Sequence, residues 1–215
     1  MSKAVEKLSV HQNSVQHLPF DLSHLSNIPD LVKEINLIWG KVGVLVNNAA
    51  MALFERIEYM DPKDMDQIIR LNVQASYILI QQLLPNLMKT KGCIINISSY
   101  FSKWMVLGIY SSAYSLTKGT IDSFTKSLAS ELGPSGVQVN AIALGSVKTP
   151  LFDAAIAEMT VKERKRFNHN VESMYPLGRI GNPSDVSGMA VLLASEQSKW
   201  ITGSLVSVDG VLTTK

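Results

Sequence analysis

Apolar positions recur along this chain at two spacings. From Ser112 to Leu132, the positions Leu116, Ile121, Phe124, Leu128 and Leu132 follow helical spacing and predict a helix. Ile94-Ile95-Asn96-Ile97-Ser98-Ser99 is instead a short apolar run ending in two hydroxyls, the pattern of a buried strand that presents Ser99 at its C-terminal end. Further strands are predicted at Val15–Phe20, Val42–Val46, Val137–Ile142 and Ser204–Val208. Residues 2–12 read as the tail of a helix with Val5 and Leu8 on one side, and Pro29–Trp39 as an amphipathic helix. Asp61 is a good N-cap and Pro62 a good first helical residue for a helix running toward Lys89, with Pro85 bending or interrupting its last turns. Gly133-Pro134-Ser135-Gly136 stops the helix that began at Ser112. Residues 150–175 are polar and partly helical, and Pro183–Ser195 is a helix with Asn182 as N-cap. Strands alternate with helices throughout, which predicts a parallel sheet covered on both faces and joined by right-handed crossovers.

Composition narrows the picture. A chain of 215 residues with 46% hydrophobic content buries one sizeable core, so residues 1–215 are expected to form a single domain. The formal net charge of +2 gives no reason to expect nucleic acid or a membrane surface as partner. No apolar run reaches the length of a membrane span, and the polar N-terminus lacks a signal-peptide core. The one cysteine, Cys93, lies on the approach to an apolar strand and reads as a buried, inert thiol; this fits a reducing compartment, so a cytoplasmic protein is expected. The four histidines are scattered and no Asp-rich loop is present, so no metal site is assigned.

The candidate chemistry starts on the predicted helix at Ser112. Tyr114 and Lys118 are one turn apart and project from one face. An ammonium about 5 Å from a phenol, at an effective dielectric near 20, favours phenolate by roughly 3 kcal/mol, or about two pKa units. Such a phenol could exchange protons near neutral pH. Tyr and Lys at this spacing also occur on many helices without any such role. The strand before them adds weight, because ligands of open parallel sheets bind at the carboxyl ends of strands. Ser99 there is a hydroxyl suited to polarising a carbonyl or holding an alcohol, with Ser98 as the competing choice on the opposite face.

Five separated motifs then stand in order: Asn47-Asn48-Ala49-Ala50, Leu71-Asn72-Val73, Ile97-Ser98-Ser99, Tyr114-Ser115-Leu116-Thr117-Lys118, and Val139-Asn140-Ala141 through Gly145 to Thr149. Together they resemble the short-chain dehydrogenase/reductase family over nearly the whole chain. The resemblance implies a Rossmann-like, doubly wound α/β fold. It also implies hydride transfer between NAD or NADP and a small-molecule carbonyl or secondary alcohol. Tyr114 would be the acid/base, with Lys118 lowering its pKa and holding the nicotinamide ribose. Ser99 would orient the substrate oxygen, and Asn72 would hold a water linked to Lys118. Asp21 and Leu22 would contact the adenine. Asn47, Ala49 and Ala50 would form the turn after a central strand, and Val147 and Thr149 would meet the nicotinamide amide. Ala50 stands where the family usually has Gly, and Leu144 where it usually has Pro. The helices at 62–89 and 112–132 match the family's dimer interface, so a homo-oligomer is expected, or a hetero-oligomer with a full-length relative. The basic cluster Lys162, Arg164, Lys165 and Arg166 reads as a solvated helix face or as an attractor for an acidic carrier or phosphate. Trp104, Met105, Val106 and Leu107 would line an apolar substrate pocket or simply pack.

One family feature has no counterpart. The Thr-Gly-x-x-x-Gly-x-Gly turn that cradles the cofactor diphosphate does not occur, and the first glycine is Gly40, after a helix. The residue that selects NAD or NADP is likewise unmatched. The expectation is an N-terminally truncated domain without its first two strands and first helix, on the order of 40 residues. Such a chain is expected to bind cofactor weakly. Strand Val42–Val46 would then either pair with Val15–Phe20 or be left with an open apolar edge. The alternative to an enzyme is a non-catalytic subunit or pseudoenzyme that pairs with a full-length relative.

Overall fold

A computed structural model describes residues 15–106 and 108–214. Among the described residues the first α-helix is α1, Ile28–Trp39, with Pro29 in its first turn and Gly40 as a left-handed C-cap at φ 68°. Ile28 and Val32 are its buried face. Strand β1, Val44–Asn47, follows. Helix α2, Pro62–Ile69, starts where the sequence predicts, with the Asp61 carboxylate accepting from the Lys63 N–H at 2.8 Å. It continues through a π turn, Arg70–Gln74, into α3, Ala75–Thr90, which carries Pro85 inside it. Lys91 then turns the chain at φ 49° into β2, Cys93–Ser99. The long helix α4 spans Ser112–Leu132, strand β3 Gln138–Leu144, and helices α5 and α6 Pro150–Glu158 and Val161–Met174. Helix α7, Pro183–Leu193, and strand β4, Leu205–Val208, complete the order.

The four strands form one parallel sheet in the order β1-β2-β3-β4, with Val44 opposite Cys93, Ile94 opposite Val139 and Ala141 opposite Leu205. This is a Rossmann-like α/β arrangement. On one face, Leu45, Ile94 and Val139 pack with Val32 of α1, Leu83 and Leu87 of α3, and Leu128 of α4. On the other, Cys93, Ile95 and Ile142 pack with Leu193 of α7. Burial raises the Cys93 thiol pKa, as suits an inert core thiol. Asn140, part of a family motif, is structural: its amide group bonds the Ile201 carbonyl at 2.8 Å and the Ser204 N–H at 3.1 Å, tying β3 to the approach to β4. Gly145 permits the ends of these strands to meet, since a Cβ there would lie 2.8 Å from Asp209 Cα.

Two expectations need correction or fall outside the description. Val15–Phe20 is not a strand. Among the described residues no strand lies beside it to share backbone hydrogen bonds, so Phe20 and Leu22 pack on the α1–α3 side of the core instead. Among the described residues strand β1 is therefore an edge, and on the face away from α1 its side chains are open, Val44 at 43% and Val46 at 45% exposure. The predicted helix at residues 2–12 lies outside the described residues, as does Leu107.

Candidate active site

Strand β2 delivers Ser99 to the carboxyl edge of the sheet, and the chain turns there into a single helical turn, Tyr100–Ser102. Ser99 Oγ caps that turn, accepting from the Phe101 N–H at 3.3 Å. Helix α4 packs against β2 and brings Tyr114 beside Ser99, whose hydroxyl acts to lower the phenol's pKa. One turn later Lys118 extends along β2, its Nζ donating to the Ile97 carbonyl at 2.7 Å and lying 5.6 Å from the centre of the Tyr114 ring. Ser99, Tyr114 and Lys118 thus converge, and all three are buried. Ser98 faces the other way, donating to the Asp122 carboxylate at 2.5 Å. The strand's alternation therefore separates the two serines as the sequence predicts.

The electrostatics correct the expectation drawn from helical spacing. The Tyr114 phenol is not more acidic than usual; burial pushes its pKa up to about 12, with the Ser99 hydrogen bond working in the opposite direction. Burial also brings Lys118 down to about 8, with the Asp122 carboxylate opposing that change. The estimate from two point charges omitted desolvation, which dominates for both groups. The ammonium is moreover bonded to the Ile97 carbonyl rather than to the phenol oxygen.

Asn72 lies in the π turn, a helix irregularity frequent at functional sites. Its side chain accepts from the Met51 N–H and donates to the Met51 carbonyl, both at 2.9 Å, and donates to Thr117 Oγ1 at 3.1 Å. It therefore clamps the loop after β1 to α4 beside Lys118. Asn47 donates to Asn96 at 2.9 Å, and Asn96 to Thr125 at 2.9 Å, a polar tie across β1, β2 and α4. Ala49 is exposed and Ala50 partly so. Ala50 is not among the residues with positive φ, so alanine is unstrained there.

Val147 forms a parallel bridge with Gly181 through bonds made by its neighbours, Lys148 N–H to Gly181 and Gly181 N–H to Ser146. Its own N–H and C=O consequently point away from that bridge. Thr149 caps α5, accepting from the Phe152 N–H at 3.2 Å. Asp21 and Leu22 are not drawn to the Ser99–Tyr114–Lys118 group. Asp21 bonds Ser23 and His24 within its own exposed turn, which lowers its pKa, and Leu22 packs on the core.

Several neighbours were not singled out from the sequence. Tyr175 donates to Ser146 Oγ at 2.7 Å and accepts from the Ser146 N–H at 3.1 Å. Burial pushes the Tyr100 pKa up, with the Ser146 hydroxyl working in the opposite direction. Phe54 and Phe101 set their rings 5.7 Å and 5.9 Å from that of Tyr114, forming an aromatic wall. Asp122 follows Lys118 by one helical turn, and that spacing was a signal available in the sequence. Lys162, Arg164, Lys165 and Arg166 are exposed on α6. Val106 packs in the Tyr114 cluster while Met105 is exposed.

The site's residues can be tested against a nicotinamide cofactor. Among the described residues Lys118 Nζ has one acceptor, the Ile97 carbonyl, leaving two of its three donors for ribose hydroxyls. The free N–H and C=O of Val147 suit a carboxamide. The nicotinamide end therefore fits. Among the described residues no Gly-rich turn joins a strand to a helix ahead of β1, and the first glycine of the sequence is Gly40.

Comparison with known proteins agrees with the fold. The family model described as enoyl-(acyl carrier protein) reductase matches residues 1–213. A 3-oxoacyl-[acyl-carrier-protein] reductase of Thermotoga maritima is 32% identical over 190 residues, 86% of this chain and 72% of that protein. A D-beta-hydroxybutyrate dehydrogenase of Rhizobium meliloti is 33% identical over 211 residues, 95% of this chain and 81% of that protein. The crystal structure of a gluconate 5-dehydrogenase from Burkholderia cenocepacia, in complex with NADP and tartrate, superposes with a TM-score of 0.88 at 25% identity, covering 99% of this chain and 80% of that one. The chain belongs to the short-chain dehydrogenase/reductase family, a family of oxidoreductases.

Proposed function

We propose that this protein reduces a carbonyl, or oxidises the matching secondary alcohol, with NAD or NADP as hydride partner. The observation that carries the reading is the convergence of buried Ser99, Tyr114 and Lys118 at the end of β2, with the Lys118 ammonium 5.6 Å from the centre of the phenol ring. Ser99 holds the substrate oxygen, and Tyr114 gives that oxygen a proton in reduction and removes it in oxidation. Lys118 holds the ribose hydroxyls and keeps positive potential beside the phenol as charge develops there. Asn72 fixes the loop after β1 against α4, so that Met51 and Lys118 keep their relative positions. The bound nicotinamide supplies the hydride chemistry. Tyr114, protonated through the neutral range at a pKa of about 12, is suited to the donor role.

The walls around Tyr114 favour a carbonyl with apolar flanks. Phe54, Phe101 and Val106 belong to or border this cluster. A cavity of about 370 Å3 between α5 and α6 is lined by Phe152, Ile156, Phe167 and Val171, with Arg179 at its edge. Arg179 is held there by two bonds to Asp185, at 2.7 and 2.9 Å.

Without a Gly-rich turn, these 215 residues are expected to bind the dinucleotide weakly; a micromolar affinity for NADPH or NADH in isothermal titration contradicts that. Turnover is therefore measured at millimolar cofactor against a panel of alkyl and aryl ketones and secondary alcohols. The expected result is a change in nicotinamide absorbance that needs both cofactor and substrate. No such change with either cofactor overturns the reading. A second reading, a non-catalytic subunit paired with a longer relative, is favoured by the open β1 edge and by exposed Tyr77 and Leu116 on α3 and α4. Co-purification with such a relative, in the absence of turnover, selects it.

A further inference from the structure

Two consecutive residues of β2 bind opposite charges from helix α4. The Ile97 carbonyl takes the Lys118 ammonium at 2.7 Å, and the Ser98 hydroxyl gives its proton to Asp122 Oδ1 at 2.5 Å. Asp122 is 7% exposed, and its other oxygen, Oδ2, is sealed from solvent with no hydrogen-bond partner. An ionised carboxylate with half its lone pairs idle in the interior is costly unless a nearby cation compensates. Lys118 stands one turn earlier on the same helix, 4% exposed, its ammonium on the strand residue next to Ser98.

We propose that Asp122 is a positioning residue, a buried counter-charge held by Ser98 that keeps Lys118 cationic at the reacting end of the site. The inference rests on the reading of Tyr114 and Lys118 as the reacting pair. The surroundings leave few other candidates for this role. From α4 itself the titratable neighbours are Tyr114 and Asp122. Strand β2 contributes Ile97 and Ser98, and the π turn Asn72, all neutral. The turn after β2 brings the Tyr100 phenol, which burial keeps protonated. Helix α2 brings Asp66, which is exposed and paired with Arg70 at 2.8 Å. Burial by itself takes Lys118 toward the neutral amine, and the Asp122 charge is what opposes this. A neutral amine still donates hydrogen bonds but supplies no positive potential to a phenol oxygen losing its proton.

The test needs neither cofactor nor turnover, so its failure is separable from failure of the proposed function. Protein labelled with 13C at the lysine ε-carbons is titrated by NMR, with the Lys118 resonance assigned by Lys118→Arg. The wild-type midpoint is expected near pH 8. In Asp122→Asn it is expected at least about one pH unit lower, as for loss of an opposite charge within one turn. A residue that only supports the fold would lower the melting temperature and leave this midpoint in place, and that result overturns the proposal. A wild-type measurement covers the case in which Asp122→Asn does not fold. The Asp122 carboxyl carbon, assigned through bonds, is expected to show a step at the Lys118 midpoint, because the two charges act on each other. A flat carboxyl resonance through that range overturns the proposal equally.

Discussion

Lys118 ties the chemistry of this protein to its stability. Its ammonium titrates near 8 in the fold and near 10.5 in an exposed chain, a gap worth ~3 kcal/mol of unfavourable burial at neutral pH. The sign follows from proton counting. Between the two values the unfolded chain binds more protons than the folded one, so stability rises as pH rises from about 8. Above pH 10 the Tyr114 phenol acts in the opposite sense. Held up at about 12 in the fold, it ionises first in the unfolded chain, and stability falls. Lys118→Met is therefore expected to remove the rise between pH 8 and 10 and to leave the fall above pH 10 in place. Urea denaturation at a series of pH values reads both. A wild type whose stability does not rise relative to Lys118→Met across that window contradicts the burial of the Lys118 ammonium. A site residue that weakens the fold is the pattern expected where function and stability compete.

At the scale of elements, the consequence is the unpaired edge of β1. Its outer backbone groups have no neighbouring strand among the described residues, and Val44 and Val46 are open beside them. Such an edge templates association with other chains. Val46→Lys is expected to lower self-association, seen as reduced light scattering at high concentration, while the melting temperature stays within a few degrees. Scattering unchanged by the substitution means that the edge is not where copies meet. The elements also show what the sequence made legible. Helix α4, the β2 run to Ser99 and the Asp61–Pro62 helix start were readable because local periodicity and capping chemistry agree with the final packing. Val15–Phe20 has strand-like composition, but a strand needs a partner, and no partner is visible in a local window. The convergence of Ser99, Tyr114 and Lys118 was readable from motif order. Their acidities were not, because spacing along a helix carries the charge separation and not the depth of burial. Asp122 was missed because an acidic residue on a helix ordinarily faces water, whereas Ser98 and the β2–α4 packing bury this one.

At the scale of the molecule, the site is assembled from parts far apart in the chain. Strand β2 gives Ser99 and helix α4 gives Tyr114 and Lys118. The π turn reaches across to both the loop after β1 and Thr117 through Asn72. The segment around Ser146 and Tyr175 closes the apolar cluster over Tyr114. No helix of the described residues is long and apolar enough to cross a membrane. The parallel sheet supplies the rigid floor, and the groups proposed to hold the substrate oxygen stand at its carboxyl edge, as open α/β sheets favour. The account stands on Tyr114 as the proton donor, and its most direct test is the rate of carbonyl reduction by Tyr114→Phe at saturating substrate and millimolar cofactor. Phenylalanine keeps the ring against Phe54 and Phe101 and removes only the hydroxyl. The expected result is a loss of at least about 100-fold with unchanged circular dichroism; a rate within a few-fold of wild type contradicts the account.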